Sequence, residues 1–384
     1  MKIAYVCSGP VPSLAANSVH VMKMCAAMAE NEHQVTLLSP TYQADRAKVR
    51  VRDVFRHYGV KRSFRHVTIP SIRLPRVAVR SHRFFLRSIL RLMRPDLVYT
   101  RVPEAALLAA DLGLRVILER HDTFSEESKR YATIFEAVAR HRNCVAIVVI
   151  SHALKTELSK QFSLPGSCFI VAADAADRVD DVKPLLFESN RPRAGYAGHL
   201  YSGKGIEVID KLARSMPDVD FHILGGTADD IAAQSARMSG LSNVVFHGHL
   251  PPVMVPEYIK AFDVLLAPYQ EKVSVSGGRG DVSRWMSPLK IFEYMASRRP
   301  MVASDLPVLR EVLNHEVNCL LVPPADYDAW EAQVRRVLDD AVLAEGIAEQ
   351  AYCEFLERYT WKARAENILR AVTQAEKSLE VQAA

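Results

Sequence analysis

"MSPLKIFEYMASRRPMVASDLPVL", Met286–Leu309, is the stretch that decides how this chain is read. Ser287 has the side chain of a helix N-cap, and Pro288 suits the first helical position, where no N–H is required. A short apolar helix then runs into "PMVAS" (Pro300–Ser304), which has the composition of a buried strand. A helix feeding such a strand is one step of a parallel α/β sheet. At the helix start the N–H groups of Leu289 and Lys290 lie at the positive end of the dipole, a site suited to a phosphate or diphosphate. Lys290 adds a full charge. Glu293, three residues on, shares that face and suits a partner with hydroxyls, such as a ribose. Taken alone, these residues equally describe a capped helix with a surface Lys–Glu pair.

Outward from this stretch, strand and helix signals alternate. In the amino half they are "KIAYVC", the helical "NSVHVMKMCAAMAEN" with Asn17 or Ser18 as cap, "QVTLLS", "DLVYT", the helical "PEAALLAADLG", "RVILE", "AIVVIS", the helical "HALKTELSKQF" and "CFIVA". A polar stretch with two prolines, Asp174–Arg193, interrupts the pattern and reads as a connection. The alternation then restarts at "RAGYAG" and continues through "VDFHILGG", "NVVFHG", "VLLAPY", "PMVAS" and "NCLLVPP" to a tail that is helical from Asp326. Near-continuous apolar strands between helices imply α/β sheets covered on both faces. Two tandem Rossmann-like domains are expected, 1–180 and 181–360. Ligands should bind beyond the carboxyl ends of the strands, in the cleft between two such sheets.

A chain of 384 residues with 49 Lys and Arg against 44 Asp and Glu is globular in composition. Its longest strongly apolar run, Cys144–Ile150, is too short to span a bilayer. The six scattered cysteines form no C-x-x-C pair and are expected as buried free thiols. "MKIAYVCSG" enters a strand at once, so a cytoplasmic protein is expected, with peripheral attachment to the inner face of the membrane as a variant. Fifteen Lys or Arg and a single acid, Asp53, fall in the segment 46–94. Within it, Arg80, Arg83, Arg87, Arg91 and Arg94 recur at helical spacing among Phe84, Phe85, Leu86, Ile89, Leu90 and Met93. Such a helix suits an anionic membrane surface or a phosphorylated acceptor, or is a domain helix with a solvated face. No RNA-binding or helix-turn-helix pattern accompanies the charge, so no nucleic acid partner is expected.

A second basic helix start follows another strand: "YAGHLYSGKGIEVI", Tyr196–Ile209, with the helix expected near Lys204–Gly205. Gly203 and Gly205 would let the backbone approach a ligand closely.

Together with "VVFHGHLP", "SPLKIFEYMASRRPMVAS", "NCLLVPPADYDAWEAQVRRVLDD" and "YTWKARAENIL", these segments resemble the carboxyl half of family 4 glycosyltransferases of GT-B fold. "ANSVHVMKMCAAMAENEHQVTLLSP", "YTRVPEAALLAADLGLRVILERHD" and "VVISHALKTEL" resemble the amino half. The resemblance implies retaining transfer of a sugar from a nucleotide-sugar donor, UDP-linked before GDP-linked, to an acceptor hydroxyl. A small molecule, a glycan or a lipid-linked saccharide would suit as acceptor. The carboxyl domain would hold the donor, and residues 361–384 would return to the amino domain. Lys204 matches the lysine that binds the diphosphate, Glu293 the ribose-binding second glutamate of an E-x7-E motif, and Leu289 and Lys290 its phosphate- and sugar-facing loop, after Ser287 and Pro288. His121, in "ERHD", matches a histidine beside the reacting carbon; Ala16 and Asn17 fall in a loop facing the diphosphate. His121, Lys204 and Glu293 are thus the expected catalytic set.

Three positions depart from the family pattern. Trp285 stands where the first glutamate of E-x7-E would be, so sugar contacts fall to Trp285 itself, Asp281 or the loop "SGGRGD". His199 replaces an arginine and is a weaker clamp near neutral pH. Ala15–Ala16 replaces a pair of glycines. "DVD" at Asp218–Asp220 mimics a metal motif but reads as a loop–strand junction, and neither metal nor cofactor is expected. A nucleotide-sugar epimerase of the same fold and a non-catalytic nucleotide-sugar-binding subunit are the competing functions.

Overall fold

The structure, a computed structural model, describes residues 1–13, 16–40, 51–70, 77–124, 128–274 and 280–383, and only the backbone of 16, 77–80 and 375–383. The chain divides into two compact units, Met1–Ala173 with Trp361–Ala384, and Asp174–Thr360. Both are parallel α/β sheets with helices between strands, so the expectation of two tandem Rossmann-like domains is met.

In the first unit, β1 (Lys2–Val6), β2 (Gln34–Pro40), β3 (Arg65–Ile69), β4 (Leu97–Thr100), β5 (Val116–Arg120), β6 (Cys144–Val149) and β7 (Phe169–Val171) lie in the order 3-2-1-4-5-6-7. Every residue of β4 is buried, as a central strand covered on both faces requires. The helices are α1 (Ala16–Glu30), α2 (Val54–His57), α3 (Val77–Met93), α4 (Pro103–Asp111), α5 (Lys129–Ala139) and α6 (His152–Phe162). Strand order reverses between β1 and β4, which brings the loops after those two strands together at the switch point where such sheets bind ligands, with the loop after β5 one strand away.

The second unit repeats the design. Its strands β8 (Arg193–Ala197), β9 (Asp220–Leu224), β10 (Val244–Gly248), β11 (Val264–Ala267), β12 (Met301–Ser304) and β13 (Leu320–Val322) lie in the order 10-9-8-11-12-13. They alternate with α7 (Ile206–Ser215), α8 (Ala228–Arg237), α9 (Val255–Ile259), α10 (Leu289–Ala296), α11 (Tyr327–Asp339) and α12 (Ala341–Glu354). Here the reversal falls between β8 and β11, so the loops after those two strands adjoin. Trp330 on α11 fills the core with Phe221, Ile223, Val302 and Leu320.

The last helix, α13 (Trp361–Ala383), packs on α1 and β6 of the first unit. Trp361, Ala365, Ile368, Leu369 and Val372 are its buried stripe, at helical spacing. The amino boundary lies at 173/174, not at the expected 180/181. The residues between belong to the second unit because their backbone is bonded there: the Asp174 N–H donates to the Ser287 hydroxyl at 2.8 Å, and Lys260 Nζ donates to the Val179 carbonyl at 2.9 Å.

Candidate active site

Two lysines meet in the second unit. Lys204 lies in the loop after β8, one residue before Gly205, the N-cap of α7. Gly205 has φ +86°, and a Cβ there would fall 1.8 Å from the Pro268 carbonyl oxygen, so the β8 loop can press on the β11 loop only with glycine. Lys204 Nζ stands 5.2 Å from the Tyr269 ring centre, and Lys290 Nζ, from α10, stands 5.0 Å from the same ring. Lys290 also lies over Tyr196, 3.6 Å from its ring centre, and a Cβ at Gly198 would come within 2.9 Å of its Nζ. The two aromatic faces attract the ammonium.

Those faces do not replace hydrogen bonds. Lys290 Nζ is buried and has no hydrogen-bond partner among the described residues. Burial, and then the charge of Lys204, lower its proton affinity well below that of an ordinary lysine, with Glu293 acting in the opposite direction. Burial brings Lys204 down to about 8. Interiors seldom leave a buried donor unpaired, because each costs roughly 1–3 kcal/mol. An ammonium kept in that state, beside a second one, describes a site for an anion.

The α10 start differs from the sequence expectation. Pro288, in extended backbone (φ −75°, ψ 125°), is the N-cap, and the helix begins at Leu289. Ser287 is no cap, because its hydroxyl accepts from the Asp174 backbone. Lys290 is buried instead of forming an exposed pair with Glu293, which is half-buried. His199 stacks on Tyr201 with ring centres 4.8 Å apart. Burial first, then the Lys204 charge, lower its proton affinity, so its ring is neutral near pH 7. Asp281 Oδ1 accepts from the N–H groups of Val273 and Ser283, both at 2.9 Å, and so staples its own loop. Trp285 is half-buried beneath the Arg284 guanidinium. The "SGGRG" part of the proposed sugar loop falls largely at 275–279, outside the described residues. Asp218 pairs with Arg335 and Asp220 opens β9, as a junction would.

The first unit holds His121, directly after β5. Its Nε2 lies 2.6 Å from Glu119 Oε1. Glu119 is fully buried, and the same oxygen takes Arg364 of α13 at 2.8 Å and His20 of α1 at 3.1 Å, while Tyr99 donates to Oε2. Burial alone would raise this carboxyl; the Arg364 guanidinium and His20 outweigh it and hold it well below the usual range. His20, Glu119 and His121 carry metal-ligating atoms, but a guanidinium already occupies the oxygen they share. Asn17 lies inside α1, not at its cap, and its Oδ1 accepts from Arg101 at 2.6 Å. Ala15 is outside the described residues, and of Ala16 only the backbone is described.

Sequence reasoning had missed Glu119, His20, Arg364, Tyr196 and Tyr269. For Glu119 a signal existed: a carboxylate two residues before His121, inside an apolar strand, sits on the same strand face. Arg364, 245 positions away from Glu119, left none.

Comparison with known proteins agrees with this architecture. Residues 191–340 match the family described as glycosyl transferases group 1, and residues 18–171 match Glycosyltransferase Family 4. A phosphatidyl-myo-inositol mannosyltransferase of Mycolicibacterium smegmatis is 23% identical over 394 aligned positions, covering 96% of this chain and 93% of the relative. An alpha-D-kanosaminyltransferase of Streptomyces kanamyceticus is 24% identical over 273, covering 64% and 67%. Among solved structures, sucrose-phosphate synthase of Thermosynechococcus elongatus superposes with a TM-score of 0.75 at 16% identity, covering 98% of this chain and all of the other. HepE of Anabaena, solved with UDP, gives 0.71 at 16% identity, covering 97% and 100%. The chain belongs to the GT-B glycosyltransferases of the group 1, family 4 type. It is a glycosyltransferase. No helix among the described residues is long and apolar enough to cross a membrane.

Proposed function

We propose that the enzyme transfers a sugar from a nucleotide-sugar donor, UDP-linked in preference to GDP-linked, to an acceptor hydroxyl with retention of configuration. The observation that carries the donor site is the buried Lys290, without a hydrogen-bond partner among the described residues, beside Lys204 at the switch point of the second sheet. In this reading the two ammonium groups and the start of α10 hold the diphosphate, and Glu293 takes the ribose hydroxyls. UDP bound to HepE supports the choice of base.

In the reaction, the anomeric C–O bond to the diphosphate breaks as the bond to the acceptor oxygen forms on the same face. The departing phosphate oxygen takes the acceptor proton, and the lysines stabilise the charge that develops. The family resemblance assigns His121 a part at the reacting carbon. No metal is proposed, since fixed cations supply that charge stabilisation. The acceptor is a small molecule, a glycan or a lipid-linked saccharide, and the basic face of α3 rests on an anionic lipid surface. On α3, Arg83, Arg87 and Arg91 are exposed together with Phe84 and Leu92, while Leu86 and Leu90 are buried.

The reading is tested with variants. Lys204→Ala and Glu293→Ala should each weaken nucleotide binding, whereas His121→Ala should spare it and lower turnover. Wild-type turnover in His121→Ala would remove that residue from the mechanism. Product formed from donor alone, with no acceptor, would point to an epimerase instead.

A further inference from the structure

The network behind His121 is built from three distant parts of the first unit: α1 supplies His20, β5 supplies Glu119, and the terminal helix α13 supplies Arg364. Arg364 is buried, and its other donor bonds run to the carbonyls of Ala172 and Ala173 at 3.1 and 2.8 Å. Its guanidinium is therefore fixed in place. A carboxylate buried against a fixed guanidinium is ionised, and an ionised carboxylate only accepts hydrogen bonds. It follows that the 2.6 Å contact to His121 is made by a proton on Nε2. His20 meets His121 edge to face at 5.0 Å and Trp361 at 5.2 Å, so the ring's neighbour is itself packed by α13.

We propose that Glu119 and Arg364 are a positioning pair for His121: the fixed guanidinium holds the carboxylate, and the carboxylate locks the ring through the Nε2–H bond. The proposal rests on the reading of His121 as the residue beside the reacting carbon. It also gives the return of α13 to the first unit a functional consequence, because that helix completes the support of a residue in the loop after β5.

The test needs no substrate. In 15N-histidine-labelled full-length protein, the His121 ring N–H, assigned by its loss in His121→Gln, should appear at low field and exchange slowly with water. Glu119→Met alone would leave a buried guanidinium without its counter-charge and cost stability, so the double variant Glu119→Met/Arg364→Met, which removes both charges, is measured. There the exchange of that proton should accelerate at least about ten-fold. Glu119→Gln in the Arg364→Met background, which keeps an acceptor oxygen and strands no charge, should restore the slow proton. A purely structural ion pair would change the melting temperature of the double variant and leave the His121 proton as it was; that result, or the absence of a slow proton in the wild type, overturns the proposal. Turnover of His121→Ala decides the underlying reading separately.

Discussion

At the scale of single residues, the second unit keeps a side chain that its own stability opposes. Lys290 is held in a buried site with two aromatic faces and, among the described residues, no hydrogen-bond partner, next to a second lysine. Replacing it by methionine, of similar length and without charge, should raise the thermal midpoint of the unit, since an unpaired buried donor costs roughly 1–3 kcal/mol. The same Lys290→Met change should weaken nucleotide binding at least about ten-fold, a loss of ~1.4 kcal/mol. Scanning calorimetry and titration calorimetry on one preparation check both. A fall in stability would mean that the lysine is a structural element and not one reserved for a ligand. Lys204 gives a second consequence, in pH. With its ammonium at about 8 in the free protein, it is charged below that value and increasingly neutral above it. A bound diphosphate favours the charged form, so binding takes up a proton in alkaline solution, and nucleotide affinity should fall as pH rises from 8 towards 10. Lys204→Arg, charged throughout that range, should flatten the dependence.

At the scale of elements, α3 is a helix with two outer chemistries. Leu86 and Leu90 hold it to the sheet, and the opposite side carries arginines with Phe84 and Leu92 exposed at 65% and 87%. Each basic residue near an anionic surface contributes about 1 kcal/mol. The triple change Arg83→Glu, Arg87→Glu and Arg91→Glu should therefore abolish co-sedimentation with phosphatidylserine-containing vesicles while leaving the melting temperature within a degree or two. Equal sedimentation of wild type and variant would leave this face merely solvated. The helix itself was legible from its spacing, but its neighbours α2 and β3 were not. In "RHVTI" an exposed Arg65 opens an edge strand with few buried residues, so neither the apolar run nor the alternation that marks a strand is present. The start of α10 was misread for a related reason. Ser–Pro carries a strong local capping signal, yet the serine hydroxyl is taken by the backbone of Asp174, 113 positions away, and local chemistry cannot anticipate such a partner. The expected donor residues stand where topology itself points, Lys204 in the loop after β8 and Lys290 and Glu293 on the first turns of α10, the helix that follows β11.

At the scale of the whole molecule, the chain is two sheets of one design, and the first needs both ends of the chain. Truncation after Thr360 removes Trp361, Ile368, Leu369 and Val372 from the first unit and leaves Glu119 buried without Arg364. Loss of a buried partner charge costs about 3–5 kcal/mol, before the exposed apolar area is counted. Such a truncation should melt the first unit at room temperature and leave the second, Asp174–Thr360, with a separate calorimetric transition close to its original midpoint. A single unchanged transition would contradict the assignment of α13.

The second unit should bind a nucleoside diphosphate through Lys204, Lys290 and Glu293. That binding is tested most directly by titration calorimetry of UDP, GDP and ADP into wild-type protein and into Lys290→Met and Glu293→Ala. Binding of one nucleotide, UDP first, that is weakened at least about ten-fold in both variants is the predicted result. Binding of none of the three, or equal binding to wild type and both variants, would contradict it.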